Sequence, residues 1–253
     1  MIDANHVHAI VTSRREIGGE LWIVRIRPEE KIAFQPGQHV TVGLPHGERV
    51  IERPYSIASS PRDAELEFFL ETVPGGRHSP HLYDIPVSGP VYVRRLAKGR
   101  FLFDAKSGHP YHFMVATVTG AAPFLSMLRN FAERGAEDEP VPYRIALLHV
   151  ASVSRELGFS GELSEYARRF PWFHYIPAVS RPWLDAGWGG EVGRAEDVAR
   201  KYLEALGFTP AQTTAYVCGN PNMIENMKGV FERAGFASES VKREIYRAVE
   251  KGD

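Results

Sequence analysis

At 253 residues, with 43% hydrophobic and 24% charged side chains, the chain is long enough for two modest domains and has an ordinary globular composition. A formal net charge of −1 excludes the basic excess of a dedicated nucleic-acid binder. The single cysteine, Cys218, excludes a disulfide framework and any cysteine-held iron–sulfur cluster or structural zinc, and no metal site is expected. Met1 to Ile10 carries no apolar run and does not read as a signal peptide. No stretch approaches a membrane span, so a soluble, cytoplasmic protein with no membrane or nucleic-acid partner is expected.

From Val7 to about Phe103 the apolar runs are short and alternating. Val7 to Val11 and Leu21 to Ile26 read as strands joined through Gly18 and Gly19, and the turn pair Pro36-Gly37 opens a further strand to Val42. Ile51 to Ile57, Leu66 to Val73 and Val91 to Val93 follow. Short strands between glycine and proline punctuation predict an antiparallel β-barrel over residues 1–106. Within it, Arg53-Pro54-Tyr55-Ser56 ends one strand. Alternate side chains share a face, so Arg53 and Tyr55 can address one ligand together. An aromatic suits a flat ring, a guanidinium fork suits a pyrophosphate, and the Ser56 hydroxyl can bond a ring-edge heteroatom, which is a kit for a flavin dinucleotide. The loop Pro74-Gly75-Gly76-Arg77-His78-Ser79-Pro80 offers glycines for close backbone approach to phosphate, with Arg77 and Ser79 adding a charge and a hydroxyl. The basic group Arg94, Arg95, Lys98 and Arg100 reads as a solvated face or as a docking surface for an acidic electron carrier.

The pattern changes near Ser107 to Pro110, and residues 107–253 alternate strands with helices, predicting a parallel-sheet α/β nucleotide-binding domain. Phe113 to Val118 is a buried parallel strand that turns through Thr119-Gly120-Ala121-Ala122-Pro123 into a helix from Phe124 to Arg134. A full Rossmann glycine fingerprint is absent, because only Gly120 stands in this turn. Arg144 to Val150 is a second strand with a helix from Glu162 to Phe170 after it. A third, His174 to Arg181, ends in Ser180 and Arg181. Ligands bind beyond the carboxyl ends of such strands, so Arg181, joined by Arg194, would meet a phosphate and favour a cofactor with an extra 2′-phosphate. Tyr216 to Met223 carries Cys218-Gly219-Asn220-Pro221-Asn222-Met223, where a strand turns into a helix that runs to Ala234.

Three motifs in order, Arg53 to Ser56, Thr119 to Phe124 and Cys218 to Met223, resemble the Arg-x-Tyr-Ser, Gly-Thr-Gly-x-x-Pro-Phe and Cys-Gly-Asn-Pro-x-Met motifs of the ferredoxin–NADP reductase family, compact bacterial type. The resemblance runs over essentially the whole chain and includes Glu67 to Pro74 with Arg77 to Pro80. It departs at Val118, where the family usually has its first glycine, and at Ser152, where an additional arginine often stands. The resemblance implies FAD and NADPH as cofactors, and ferredoxin or flavodoxin as partner of a monomer. The flavin would be held by Arg53, Pro54, Tyr55, Ser56, Phe69, Leu70, Glu71, Thr72, Arg77, His78 and Ser79. NADPH would be held by Thr119, Gly120, Ser180, Arg181, Arg194, Cys218, Gly219, Asn220 and Met223. The tail Ala248-Val249-Glu250-Lys251 resembles a Val-Glu-Lys ending that returns to the flavin, with Ala248 where many relatives have an aromatic ring and Tyr246 two residues earlier. Ser56, Cys218 and Glu250 are implied near the reacting rings, in positioning roles, because hydride transfer needs no general base. Two alternatives remain open from the sequence: a free-flavin reductase or oxygenase reductase component on the same scaffold, and a non-catalytic nucleotide-binding subunit. Most oxygenase reductases of this type carry a fused iron–sulfur domain, which one cysteine cannot supply.

Overall fold

The computed structural model describes residues 4–47, 49–136 and 140–245. Its chain divides into two compact units, one formed by the described residues up to Phe103 with Ala122–Glu133, the other by Asp104–Ala121 with the described residues from Arg134 onward. The helix after the first nucleotide turn is thus counted, up to Glu133, with the first unit.

In the first unit, β1 (His6–Gly18), β2 (Leu21–Pro28), β3 (His39–His46), β4 (Arg49–Ser56), β5 (Leu66–Glu71) and β6 (Pro90–Arg94) form one sheet in the order β4-β3-β6-β1-β2-β5. Every recorded pairing in it is antiparallel. The edges meet where the Ala58 amide donates to the Glu67 carbonyl at 2.8 Å, which curls the sheet into the expected barrel. Alternation sorts the strands' side chains. Val7, Ala9 and Val11, Trp22, Val24 and Ile26, Val40, Val42 and Leu44, and Leu66, Phe68 and Leu70 fill the interior. β1 runs past Val11 to Gly18 because a twisted hairpin with β2 carries its polar half, with register shifts between Val11 and Ser13 and between Glu16 and Gly18. Charged residues there hid the strand from an apolar-pattern reading.

α1 (Ser79–Asp84) seats Leu82 in the barrel core, and α2 (Ala122–Ala136) packs on this unit through Phe124 against Phe101, with ring centroids 5.5 Å apart, and Phe131 against Phe103 at 4.8 Å. α2 is also tied by polar bonds. Ser126 Oγ donates to the Ser59 carbonyl at 2.7 Å, and Arg129 donates to the Ala58 carbonyl at 3.0 Å and to Glu67 at 2.7 Å.

In the second unit β7 (Tyr111–Thr117), β8 (Arg144–Ala151), β9 (Phe173–Val179), β10 (Glu191–Val192), β11 (Thr213–Gly219) and β12 (Val241–Ile245) form a sheet in the order β10-β9-β8-β7-β11-β12, with every recorded pairing parallel. α3 (Ser160–Arg169) follows β8. α4 (Ala195–Leu206) and α5 (Pro221–Arg233) bury Val198, Leu203, Met227 and Phe231 against Phe113, Val115, Leu148 and Val217. β10, β12 and α4 are elements that the sequence reading did not assign. The two strands are short and polar, and only their register on β9 and β11 identifies them.

Candidate functional site

In the first unit, β4 carries Arg53 and Tyr55 on one face, opposite Val42 and Val40 of β3. Arg53 donates to the Glu52 carbonyl at 2.8 Å. Tyr55 is half-buried, and its hydroxyl lies 2.8 Å from His78 Nδ1, while His78 Nε2 lies 2.9 Å from the Val42 carbonyl. A carbonyl only accepts, so the proton of the neutral ring is on Nε2, and Nδ1 accepts from Tyr55. Burial holds His78 down to about 4, which keeps the ring neutral, and raises the Tyr55 phenol above its ordinary value. The tyrosine ring is therefore fixed in orientation by its hydroxyl, with its neighbour Phe68 at 6.2 Å between centroids. Ser56 is buried.

The strand β5 divides its three candidates, with Thr72 just past its end. Leu70 points into the barrel core, whereas Glu71 is exposed and Phe69 is buried on the opposite face from Leu70. Only the backbone of Leu70 could meet a ligand. Thr72 Oγ1 accepts from Trp22 Nε1 at 2.9 Å, and Ser79 Oγ accepts from the Val73 amide at 2.9 Å, closing the loop that displays Arg77 to solvent. The donor set fits a flavin dinucleotide: a fixed aromatic ring, a guanidinium two residues before it on the same face, and Arg77 on the adjoining loop.

In the second unit the turns after β7 and β11 interlock. A Cβ added to Gly120 would lie 2.3 Å from the Cys218 carbonyl oxygen, and one added to Gly219, whose φ is +132°, would lie 2.2 Å from Thr117 Oγ1. The same Thr117 oxygen accepts from the Asn220 amide at 2.8 Å. Gly120 is thus brought against Cys218 and Gly219, and Thr117 against Gly219 and Asn220, at the carboxyl ends of two adjacent strands, with Thr119 beside Gly120 in the same turn. Asn220 caps α5 by accepting from the amides of Asn222 at 2.9 Å and Met223 at 3.4 Å, and the Met223 side chain is buried in the core. Cys218 is buried, and its thiol donates to the Glu244 carboxylate at 3.7 Å across the β11–β12 pairing.

At the far side of this sheet, Ser180 donates to the Ala151 carbonyl through its amide at 2.9 Å, and the Arg181 amide donates to the Ser152 carbonyl at 3.0 Å. Gly193 donates to the Val179 carbonyl at 2.9 Å, so Arg194 and Arg181 leave neighbouring strand ends and both are exposed. Sequence reading missed a third arginine. Arg155 is exposed on the loop after β8, and that loop is stitched to the one after Arg181 where the Ser154 amide donates to Asp185 at 2.6 Å. Hydrogen bonding from Ser154, with a smaller pull from the Arg155 charge, holds the Asp185 carboxyl below its ordinary value. The signal in the sequence was Arg155 itself, three residues past the Ser152 position. The exposed arginines, the interlocked glycine turns and the strand ends fit a dinucleotide carrying extra phosphate. Ala248 and Glu250, with Tyr246, lie outside the described residues.

Comparison with known proteins agrees with both halves. Residues 8–101 match the oxidoreductase FAD-binding domain, and residues 114–229 match the oxidoreductase NAD-binding domain. The chain is 31% identical over 201 residues to the flavodoxin/ferredoxin–NADP reductase of Shigella flexneri, covering 77% of each chain. The chain belongs to the ferredoxin–NADP reductase family. It is also 30% identical over 242 residues to the ferredoxin–NAD(P)(+) reductase component of the naphthalene 1,2-dioxygenase/salicylate 5-hydroxylase systems of Ralstonia sp.. That match takes in 92% of this chain and 66% of the relative's length. Among solved structures, a ferredoxin NADP+ reductase from Neisseria gonorrhoeae with bound FAD and NADP shares the fold, with a TM-score of 0.84 at 23% identity over 96% of this chain and 99% of that one. Among the described residues no helix is long and apolar enough to cross a membrane.

Proposed function

We propose that this ferredoxin–NADP reductase relative is an FAD-dependent oxidoreductase passing electrons between NADPH and a one-electron carrier, ferredoxin or flavodoxin. The observation that carries the reading is the exposed pair Arg181 and Arg194 on neighbouring strand ends of the sheet that holds the interlocked Gly120 and Gly219 turns. When bound, NADPH and FAD supply hydride transfer and the release of single electrons. The chain's own residues bind and orient. Tyr55, locked by neutral His78, presents a ring of fixed angle; Arg53 and Arg77 supply charge for a pyrophosphate. Arg181, Arg194 and Arg155 supply the charge that selects a 2′-phosphate. Cys218 is a positioning residue whose thiol is already engaged by Glu244, and Glu250 and Ala248 complete the assignment from the tail. In the basic group, Arg94 is paired with Glu52 at 2.6 Å and Arg95 with Glu30, which leaves Lys98 and Arg100 as the better candidates for an acidic carrier.

An oxygenase reductase component is the second reading, favoured by the 30% identity to the Ralstonia protein. Anaerobic absorption spectra test the first step: flavin bands should bleach promptly with NADPH and slowly with NADH. R181A and R194A should each cut the NADPH preference about tenfold, the loss of one charge-assisted phosphate contact. Reduction of purified ferredoxin and flavodoxin then separates the two readings by partner. A protein that retains no flavin, or whose flavin neither nucleotide bleaches, would sink both.

A further inference from the structure

The turn that carries Thr119 and Gly120 begins with Val118 at φ +45°, a left-handed conformation that a β-branched residue rarely adopts. Its side chain packs beside Ala151, Leu157 and Val179 at the ends of β8 and β9. Its carbonyl lies 3.1 Å from His149 Nε2, and His149 Nδ1 lies 3.2 Å from the Tyr175 hydroxyl. His149 stands on β8 opposite Ala116 of β7 and is fully buried. Since the Val118 carbonyl only accepts, the ring proton is on Nε2, and Nδ1 accepts from Tyr175. Burial keeps the ring neutral, with its pKa down to about 4, so this single-proton arrangement holds throughout the neutral range.

We propose that His149 is a positioning residue for the nicotinamide nucleotide: its Nε2–H, fixed by Tyr175, clamps the Val118 carbonyl and holds the left-handed valine that opens the Thr119–Gly120 turn. The chain carries a side chain where a glycine would adopt this conformation without strain, and the hydrogen bond from the neighbouring strand offsets that strain. Tyr175 acts one step further out, by fixing the tautomer and ring angle. This inference rests on the NADPH reading of the same turn.

The test uses the full chain with its flavin and measures three quantities: NADP+ affinity by calorimetry, amide hydrogen exchange at Thr119 and Gly120 without nucleotide, and Tm. H149F, made together with Y175F so that no buried hydroxyl loses its acceptor, should weaken NADP+ binding about tenfold and speed exchange at both amides. H149Q, which keeps an N–H donor, should restore both. In a V118G background, where positive φ needs no support, H149F/Y175F should leave affinity and exchange within about twofold of V118G alone. If the histidine only fills the core, H149F/Y175F and H149Q will lower Tm alike in both backgrounds, with affinity and exchange unchanged, and the proposal is overturned. If the wild-type protein binds no pyridine nucleotide, the reading of the turn fails, and this inference with it. Failure of the inference alone is distinct: wild type and all variants then bind NADP+ equally.

Discussion

Gly120 shows how a single residue type decides whether this site can exist. Its missing side chain admits the Cys218 carbonyl to within 2.3 Å of where a Cβ would stand, so the turns after β7 and β11 touch through backbone alone. G120A should destabilise the protein by about 2–3 kcal/mol, because backbone on both sides has nowhere to move, and a urea unfolding curve measures it. G161A is the control, with nothing within 4 Å of the added carbon, and it should stay near wild type. Two histidines follow a common logic at this scale. His78 and His149 each donate Nε2–H to a carbonyl and accept a tyrosine hydroxyl at Nδ1, so each fixes a ring and a stretch of backbone with one neutral group. Neither arrangement is legible from sequence. Val42 and His78, or Val118 and His149, are neighbours only once the strands pair.

At the scale of elements, α2 is the piece whose tertiary assignment departs most from its position in the chain. It follows the nucleotide turn directly, yet its residues to Glu133 belong to the first unit, where Ser126 and Arg129 bond the segment just after the Arg53–Ser56 motif. The anchor is Glu67, buried between Arg25 and Arg129, both at 2.7 Å. The two arginines are unequal: the Arg25 side chain is 52% exposed and that of Arg129 12%. R129M should therefore cost about 3 kcal/mol, because it leaves a buried carboxylate with its weaker partner, while R25M should cost less than about 1 kcal/mol. Equal losses in chemical denaturation would contradict that ranking. The apolar periodicity of α2 predicted a helix correctly, but its polar partners Ser59 and Glu67 lie some sixty residues away, roughly the separation at which local pattern carries no information.

For the molecule as a whole, the buried histidines set a pH dependence. Burial holds His78, His112 and His149 down to about 4. An unfolded histidine titrates near ~6.5, so as the pH falls the unfolded chain takes up protons before the folded one does. Their stabilisation is fully present above about pH 6.5 and is lost progressively as the pH drops towards 4, each contributing up to on the order of 3 kcal/mol. Thermal melts at constant ionic strength should be flat from about pH 8 to 7 and fall steeply between about 6.5 and 4.5. H149Q should remove about a third of that slope. A profile that falls only below the carboxylate range would show that these rings do not govern it.

The sequence by itself determined the antiparallel barrel, the parallel α/β sheet and the three motifs, because each is written in contiguous residues: period-two alternation, buried β-branched runs, and short strings such as Arg53 to Ser56 and Cys218 to Met223. Only the tertiary structure decided that Leu70 faces the core and that the loop carrying Arg155 is tied to the one after Arg181. It alone identified β10 and β12 as strands and set a buried histidine under the left-handed Val118. The physical reason is range. Backbone propensity and alternation act over a few residues, whereas strand register and hydrogen bonding between strands couple positions tens of residues apart.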